Sequence, residues 1–300
     1  MLKRTFLKGA AATMLAAVAA PAVAAPGAAR RGYAAINSVD YYYEISGSGD
    51  PLLLLHGGLF TIGMYAGLRA ALSARHQVIA VDLHGHGRTA LGTRHISLVD
   101  QGADMAALVR KLGFGRVDVI GHSMGGGIAF QFAAQHPEMV RRLVLVSTPF
   151  AQSGFFPEML PLQAQLTAAA APAMAQTPMY QAYKAVAPHP EDFPRLLDEM
   201  GAYMREPYDW SADVAKLSMK VMLVYGDSDM FRPEHMVTFY QLLGGGLRDA
   251  GWNREHMSGN RLAILPGVTH YDMIGAPLLV EVVGAFLEGG GNQGLLDAAP

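Results

Sequence analysis

Short runs of mostly apolar residues recur along this chain, and they narrow its fold more than any other feature. Pro51 to Leu55, Val78 to Val81, Val117 to Ile120, Leu143 to Val146, Val221 to Val224 and Leu262 to Leu265 are of this kind. Tyr41 to Ile45 reads as an earlier strand. A strand with one wet face alternates apolar and polar residues. Runs that do not alternate are what strands buried on both faces look like. Helical patterns lie between them. Ser97 to Leu112 opens with Ser97-x-x-Asp100, a capping-box spacing, and ends before Gly113. Met124 to His136 stops at Pro137, and Glu234 to Leu243 and Gly275 to Leu287 follow. Alternating strands and helices predict an α/β fold: a mostly parallel central sheet, helices on both faces, right-handed crossovers. With 300 residues, 51% of them hydrophobic, the chain suits one large domain with an insertion.

The alternation breaks once. Residues 150–217 show no clear strand but many Pro interruptions, with abundant Ala, Met and aromatics. They read as short helices forming a cap inserted into a core of residues 25–149 and 218–300. A second excursion, Gly244 to Asn260, is Gly-rich and polar and reads as surface.

Residues 1–24 read as an export signal rather than as fold. Lys3 and Arg4 precede an apolar run from Ala10 to Ala20, and Ala22-Val23-Ala24 is an A-x-A cleavage pattern. The run is shorter than the ~20 residues of a membrane-spanning helix. Lys3-Arg4-Thr5-Phe6-Leu7-Lys8 is similar to a twin-arginine signal with Lys for the first Arg, which leaves Sec as the alternative route. A periplasmic or secreted location is expected, with no stable membrane insertion after cleavage. The net charge of −2 implies no basic face, so nucleic acid is not an expected partner. The absence of cysteine excludes disulfides, thiolate metal sites and cysteine nucleophiles.

Within this frame Ser123 stands out. It lies in Gly121-His122-Ser123-Met124-Gly125, directly after one predicted strand and directly before a predicted helix. A nucleophile on so sharp a turn needs small neighbours, and the turn lifts its hydroxyl clear of the sheet. The N-terminus of the following helix then favours developing negative charge nearby.

Five motifs follow one another along the chain: Leu54-Leu55-His56-Gly57-Gly58, Asp82-Leu83-His84-Gly85-His86-Gly87-Arg88-Thr89, Gly121-His122-Ser123-Met124-Gly125-Gly126, Gly226-Asp227-Ser228-Asp229 and Pro266-Gly267-Val268-Thr269-His270. Together, and in this order, they resemble the α/β-hydrolase fold superfamily. The resemblance covers about Tyr33 to Leu287. It implies a serine nucleophile, an acid and a histidine in that chain order. His270, after the last predicted strand, is then the base. Asp229, the final residue of Gly-x-x-Asp, is the acid, with Asp227 as the competing carboxylate. Backbone N–H groups of Met124 and Gly58 are the expected oxyanion donors, with Leu59 the neighbouring alternative. His56 is expected to brace its loop, and His122 either to point away from Ser123 or to line the pocket. His84 and His86 have metal-capable spacing, but the resemblance implies a tight Gly-bearing turn there; neither metal nor cofactor is expected.

The expected function is hydrolysis of carboxylic esters of fairly apolar small substrates, because Met and aromatics dominate the insertion and cationic clamps do not. Lactone opening, perhydrolysis and C–C bond hydrolysis by the same residues stay open, and so does a non-catalytic binder of apolar ligands. Substrate identity and oligomeric state are not legible.

Overall fold

A computed structural model describes residues 30–289. The export pattern in residues 1–24 lies outside the described residues. Eight strands form one sheet: β1 (Arg30–Ile36), β2 (Val39–Ser46), β3 (Asp50–Leu55), β4 (His76–Val81), β5 (Val117–His122), β6 (Val140–Val146), β7 (Lys220–Ser228) and β8 (Arg261–Thr269). Their order is β1-β2-β4-β3-β5-β6-β7-β8. β1 and β2 are antiparallel to their neighbours, and the rest run parallel.

The apolar runs fall on strands because side chains alternate across a sheet and both faces are covered. Leu53 and Leu55 of β3 join one core cluster, and Leu52 and Leu54 join the other. Leu143 and Leu145 of β6 split from Val144 and Val146 in the same way. The helices divide accordingly. α1 (Ala66–Ser73) packs Leu68 and Leu72 on the second cluster, whereas α2 (Leu98–Lys111) and α3 (Met124–Gln135) pack Met105, Val109, Ile128 and Phe132 on the first.

Five α-helices, most of them short, occupy the stretch between β6 and β7. They are α4 (Met159–Ala164), α5 (Ala171–Met174), α6 (Pro178–Val186), α7 (Phe193–Arg205) and α8 (Ser211–Val214). The base of this stretch is pinned to itself. The Trp210 amide donates to the Phe150 carbonyl at 2.8 Å and the Gln152 amide to that of Tyr208 at 3.0 Å. α7 is amphipathic: Phe193, Leu196, Leu197 and Met200 are buried at helical spacing. Its outer face is tied to the loop after β4, where the Ile96 amide donates to Glu199 and Arg195 donates to the Gly92 carbonyl. α9 (Pro233–Leu242) and α10 (Pro277–Leu287) complete the helices, α10 lying on the same face as α1.

Three details differ from the sequence reading. β1 and α1 add elements it did not mark. β8 is an edge strand, not one buried on both faces, with Ile264 44% exposed. The edge position accommodates Pro266, which has no amide to give to a ladder. At the start of α2, the Ser97 hydroxyl accepts from the Asp100 amide as the capping spacing predicts. Among the described residues no helix is long and apolar enough to cross a membrane.

The order β4-β3-β5 is a switch point. The chain leaves β3 for β4 on one side, then returns to place β5 on the other. A crevice opens at such a point beyond the carboxyl ends of parallel strands. Here the loops after β3 and β5 meet.

Candidate active site

Register brings the predicted residues together. In β7 and β8, Ser228 pairs with Thr269, so the next residues, Asp229 and His270, leave adjacent strand ends side by side. In β5 and β6, His122 pairs with Val146, so Ser123 emerges at the same edge. His270 Nε2 lies 3.1 Å from Ser123 Oγ, and His270 Nδ1 lies 2.9 Å from Asp229 Oδ1. Asp229 and His270 are buried.

The serine turn is strained, as its motif predicts. Ser123 has φ 53° and ψ −118°, a region that L-residues rarely occupy. Its amide donates to the Val146 carbonyl at 2.9 Å, and its own carbonyl accepts from the Gly127 amide at 3.0 Å. The flanking glycines are required by space. A Cβ on Gly121 would collide with the Gly125 carbonyl, and one on Gly125 with the carbonyls of Leu55 and His56.

Asp229 is held as a carboxylate. Burial pushes its pKa up, but hydrogen bonding and charge from His270, with donation by the Ser147 hydroxyl and the Gly226 amide, outweigh it. The net direction is below the usual carboxylate range. Ser147 Oγ donates to Oδ2 at 2.5 Å and the Met230 amide to Oδ1 at 2.8 Å. With Asp229 ionised, His270 Nδ1–H donates to it, and Nε2 is left to accept the Ser123 proton. Asp227 does something else: its exposed carboxylate accepts from the Gly267 amide at 3.0 Å and so ties the β7 end to the β8 loop.

Gly58 and Met124 border the same cavity as Ser123. A Cβ on Gly58 would stand 3.6 Å from Met124 Sδ, so the two residues expected to supply the oxyanion donors pack side by side. The first amides of α3 have no acceptor one turn back within the helix, which leaves that of Met124 available to a ligand. The Gly57 carbonyl accepts from the Phe60 amide at 3.2 Å, closing a turn in which Leu59 takes φ 61°. A left-handed leucine is a cost the sequence does not announce.

The cavity has a volume of about 220 Å³. Its floor is the strand-end loops and its roof is the stretch between β6 and β7. Met200, Tyr203 and Met204 descend from one face of α7, at i, i+3 and i+4. Met124, Met179, Met230, Phe155 and Tyr208 add to an apolar, deformable lining. Burial pushes the Tyr203 phenol up to about 12, so it stays a protonated donor.

A hydroxyl hydrogen-bonded to an imidazole, itself oriented by a carboxylate, is the geometry in which a serine can be activated. The profile of the alpha/beta hydrolase fold family matches residues 50–231. This chain belongs to the α/β-hydrolase fold family. A pimeloyl-[acyl-carrier protein] methyl ester esterase of Nitrosomonas europaea is 27% identical over 262 residues, 79% of this α/β-hydrolase chain and 94% of that protein. An uncharacterised protein of Mycobacterium tuberculosis is 42% identical over 105 residues, 35% of this chain and only 31% of that relative. The carboxylesterase CesB of Bacillus subtilis superposes with a TM-score of 0.66 at 20% identity, over 89% of this chain and 94% of that one. Identity that low speaks for the fold alone.

Three other histidines of the α/β-hydrolase core, His56, His84 and His86, have structural partners. His56 donates from Nδ1 to the Gly57 carbonyl at 2.7 Å and accepts from the Leu83 amide at 3.0 Å, bracing the loop as expected. His84 Nε2 bonds the Leu91 carbonyl and His86 Nδ1 the His84 carbonyl. Among the described residues no group of three His, Asp or Glu is placed to hold a metal. His122 lines the cavity, the second of its two expected placements. Ser147 and Tyr65 carry no signal in the sequence. No motif marks a lone serine or tyrosine that acts by reaching a partner 82 or 57 residues away.

Proposed function

We propose that this chain hydrolyses carboxylic esters of fairly apolar small substrates through an acyl-enzyme. The observation that carries the reading is the unbroken hydrogen-bond chain from Asp229 through His270 to Ser123, opening into the Met- and aromatic-lined cavity. In this reading Ser123 Oγ attacks the ester carbonyl while His270 Nε2 takes its proton. Asp229 holds the tautomer and stabilises the imidazolium. The amides of Gly58 and Met124 receive the oxyanion. His270 then protonates the departing alcohol, and water, activated by the same imidazole, releases the acid. No cofactor enters these steps.

Residues 150–217 act in this reading as a cap that selects the substrate over a core of residues 25–149 and 218–300. The family match supports hydrolytic chemistry, and an apolar lining without a cationic clamp supports neutral esters. The signal pattern through Ala24 supports export to the periplasm or exterior.

The test is a panel of p-nitrophenyl esters of rising acyl length, alongside lactones and ring-cleavage diketones. Wild type should turn over esters best, and Ser123→Ala should lose about a millionfold in kcat while keeping its fold. Retained turnover in Ser123→Ala, or a preference for the diketones, would overturn the reading.

A further inference from the structure

His122 is buried beside Ser123 and lines the cavity, yet it is not part of the Asp229–His270–Ser123 chain. Its partner is Tyr65, also buried, in the turn that precedes α1. The phenol has one proton to give. The Gly57 amide lies 2.9 Å from the Tyr65 oxygen and can only donate to it. The second contact, 2.6 Å from the Tyr65 oxygen to His122 Nδ1, offers the one acceptor among the described residues for the phenol proton, and a protonated Nδ1 would leave that buried proton unpaired. Nδ1 therefore accepts the phenol proton and is itself unprotonated. Burial first, and then the neighbouring His270, push the His122 pKa down to about 3, so the ring is uncharged and its one proton sits on Nε2. Among the described residues the buried Nε2 has no hydrogen-bond partner, and the neighbouring His270 backbone only favours a proton on the ring. Tyr65 is therefore the hydrogen-bond partner that selects the tautomer.

The ring also touches both sides of the site. It stacks on Phe60 of the oxyanion loop at 6.2 Å and lies 5.3 Å from the His270 ring. A Cβ on Gly57 would stand 3.0 Å from Nδ1, so the loop rests directly against the imidazole.

We propose that Tyr65 and His122 are positioning residues: with His122 fixed as the Nε2–H tautomer, they clamp the Gly57–Gly58 loop against the Ser123 turn. The inference rests on the reading of Ser123 as nucleophile and of the Gly58 amide as oxyanion donor. Tyr65 holds the amide immediately before Gly58, and His122 holds Tyr65 from the residue immediately before Ser123. The clamp thus sets the spacing between the oxyanion donor and the nucleophile. A histidine that stays uncharged can do this without repelling His270 when that ring gains its proton.

Two measurements on the full chain test it. The first is ¹⁵N–¹H correlation of histidine-labelled protein, with His122 assigned by its loss in His122→Asn. His122 should show a protonated Nε2 and a bare Nδ1 from about pH 5 to 8. A protonated Nδ1 would overturn the proposal. The second is the split between kcat and KM on a p-nitrophenyl ester. Tyr65→Phe should lower kcat about tenfold and move KM by less than about threefold. His122→Asn, whose Oδ1 can stand where Nδ1 stood, should keep more kcat than His122→Leu. Wild-type kcat in Tyr65→Phe, or equal loss in the two His122 variants, would overturn the clamp. If wild type turns over no ester, the ester reading fails, and the tautomer measurement alone decides the clamp.

Discussion

Asp227 and Asp229 stand two residues apart, and the fold gives them different work. Asp229 is buried against His270, whereas Asp227 lies in solvent and bonds the Gly267 amide. Asp229→Asn should therefore cut kcat by about 10⁴, because an amide cannot hold the His270 tautomer. Asp227→Asn should cut it by less than about tenfold, acting only through the loop. Steady-state kinetics on one ester separates them; equal losses would contradict the assignment. Ser147 adds a third test at this scale. Its hydroxyl supports the ionised form of Asp229, so Ser147→Ala should lower kcat by about tenfold with little change in KM. Ser123 and His270 were legible in the sequence because each sits in a local motif at a strand end. Ser147 and Tyr65 were not, because their roles are set by partners far along the chain. Nor does the sequence show which face of its strand end His122 turns to; only the packed loops do.

Strands and helices were legible wherever burial is uniform. The β5, β6 and β7 runs are buried on both faces, and their apolar stretches mark them directly. β1 carries no such mark, being an antiparallel edge strand, half exposed, with Arg30, Arg31 and Gly32 at its start. α1 is equally unmarked, because it is short and opens without a capping side chain. One buried polar residue interrupts the β5 run. Asp118 is fully buried, and Arg141 of β6 meets it with two bonds, Nε to Oδ1 at 2.9 Å and a terminal nitrogen to Oδ2 at 2.7 Å. Removing one partner of such a pair leaves a buried charge uncompensated. Arg141→Ala should destabilise the protein by about 3 kcal/mol, read by urea unfolding, without altering kcat of the remaining folded enzyme. A change below about 0.5 kcal/mol would show that Arg142, 3.7 Å from the same carboxylate, suffices.

At the scale of the molecule, the switch between β3 and β5 gathers the predicted residues from distant parts of the chain into one crevice. The same packing buries several histidines in uncharged form. Burial lowers His56 to about 4, and burial with neighbouring histidines lowers His86 and His122 to about 3, from an ordinary 6.5. In the unfolded chain each takes up a proton as pH falls below about 6.5, while the folded form does not until about 3 to 4. Acid therefore favours unfolding through that window, by about 1.4 kcal/mol per pH unit for each histidine. Urea midpoints should fall between pH 7 and 5, and a flat profile would contradict the burial. What the sequence left least legible is the cavity lining, since helical spacing alone does not separate the buried Phe193 and Leu197 from Tyr203 and Met204, which face the cavity.

Every step proposed for this chain depends on Ser123 being an activated nucleophile. A fluorophosphonate probe, followed by intact mass and peptide mapping, tests this. One adduct per chain is expected, located on Ser123, with labelling slowed by Asp229→Asn and abolished by Ser123→Ala. An unlabelled wild-type protein, or an adduct on any other residue, would contradict it.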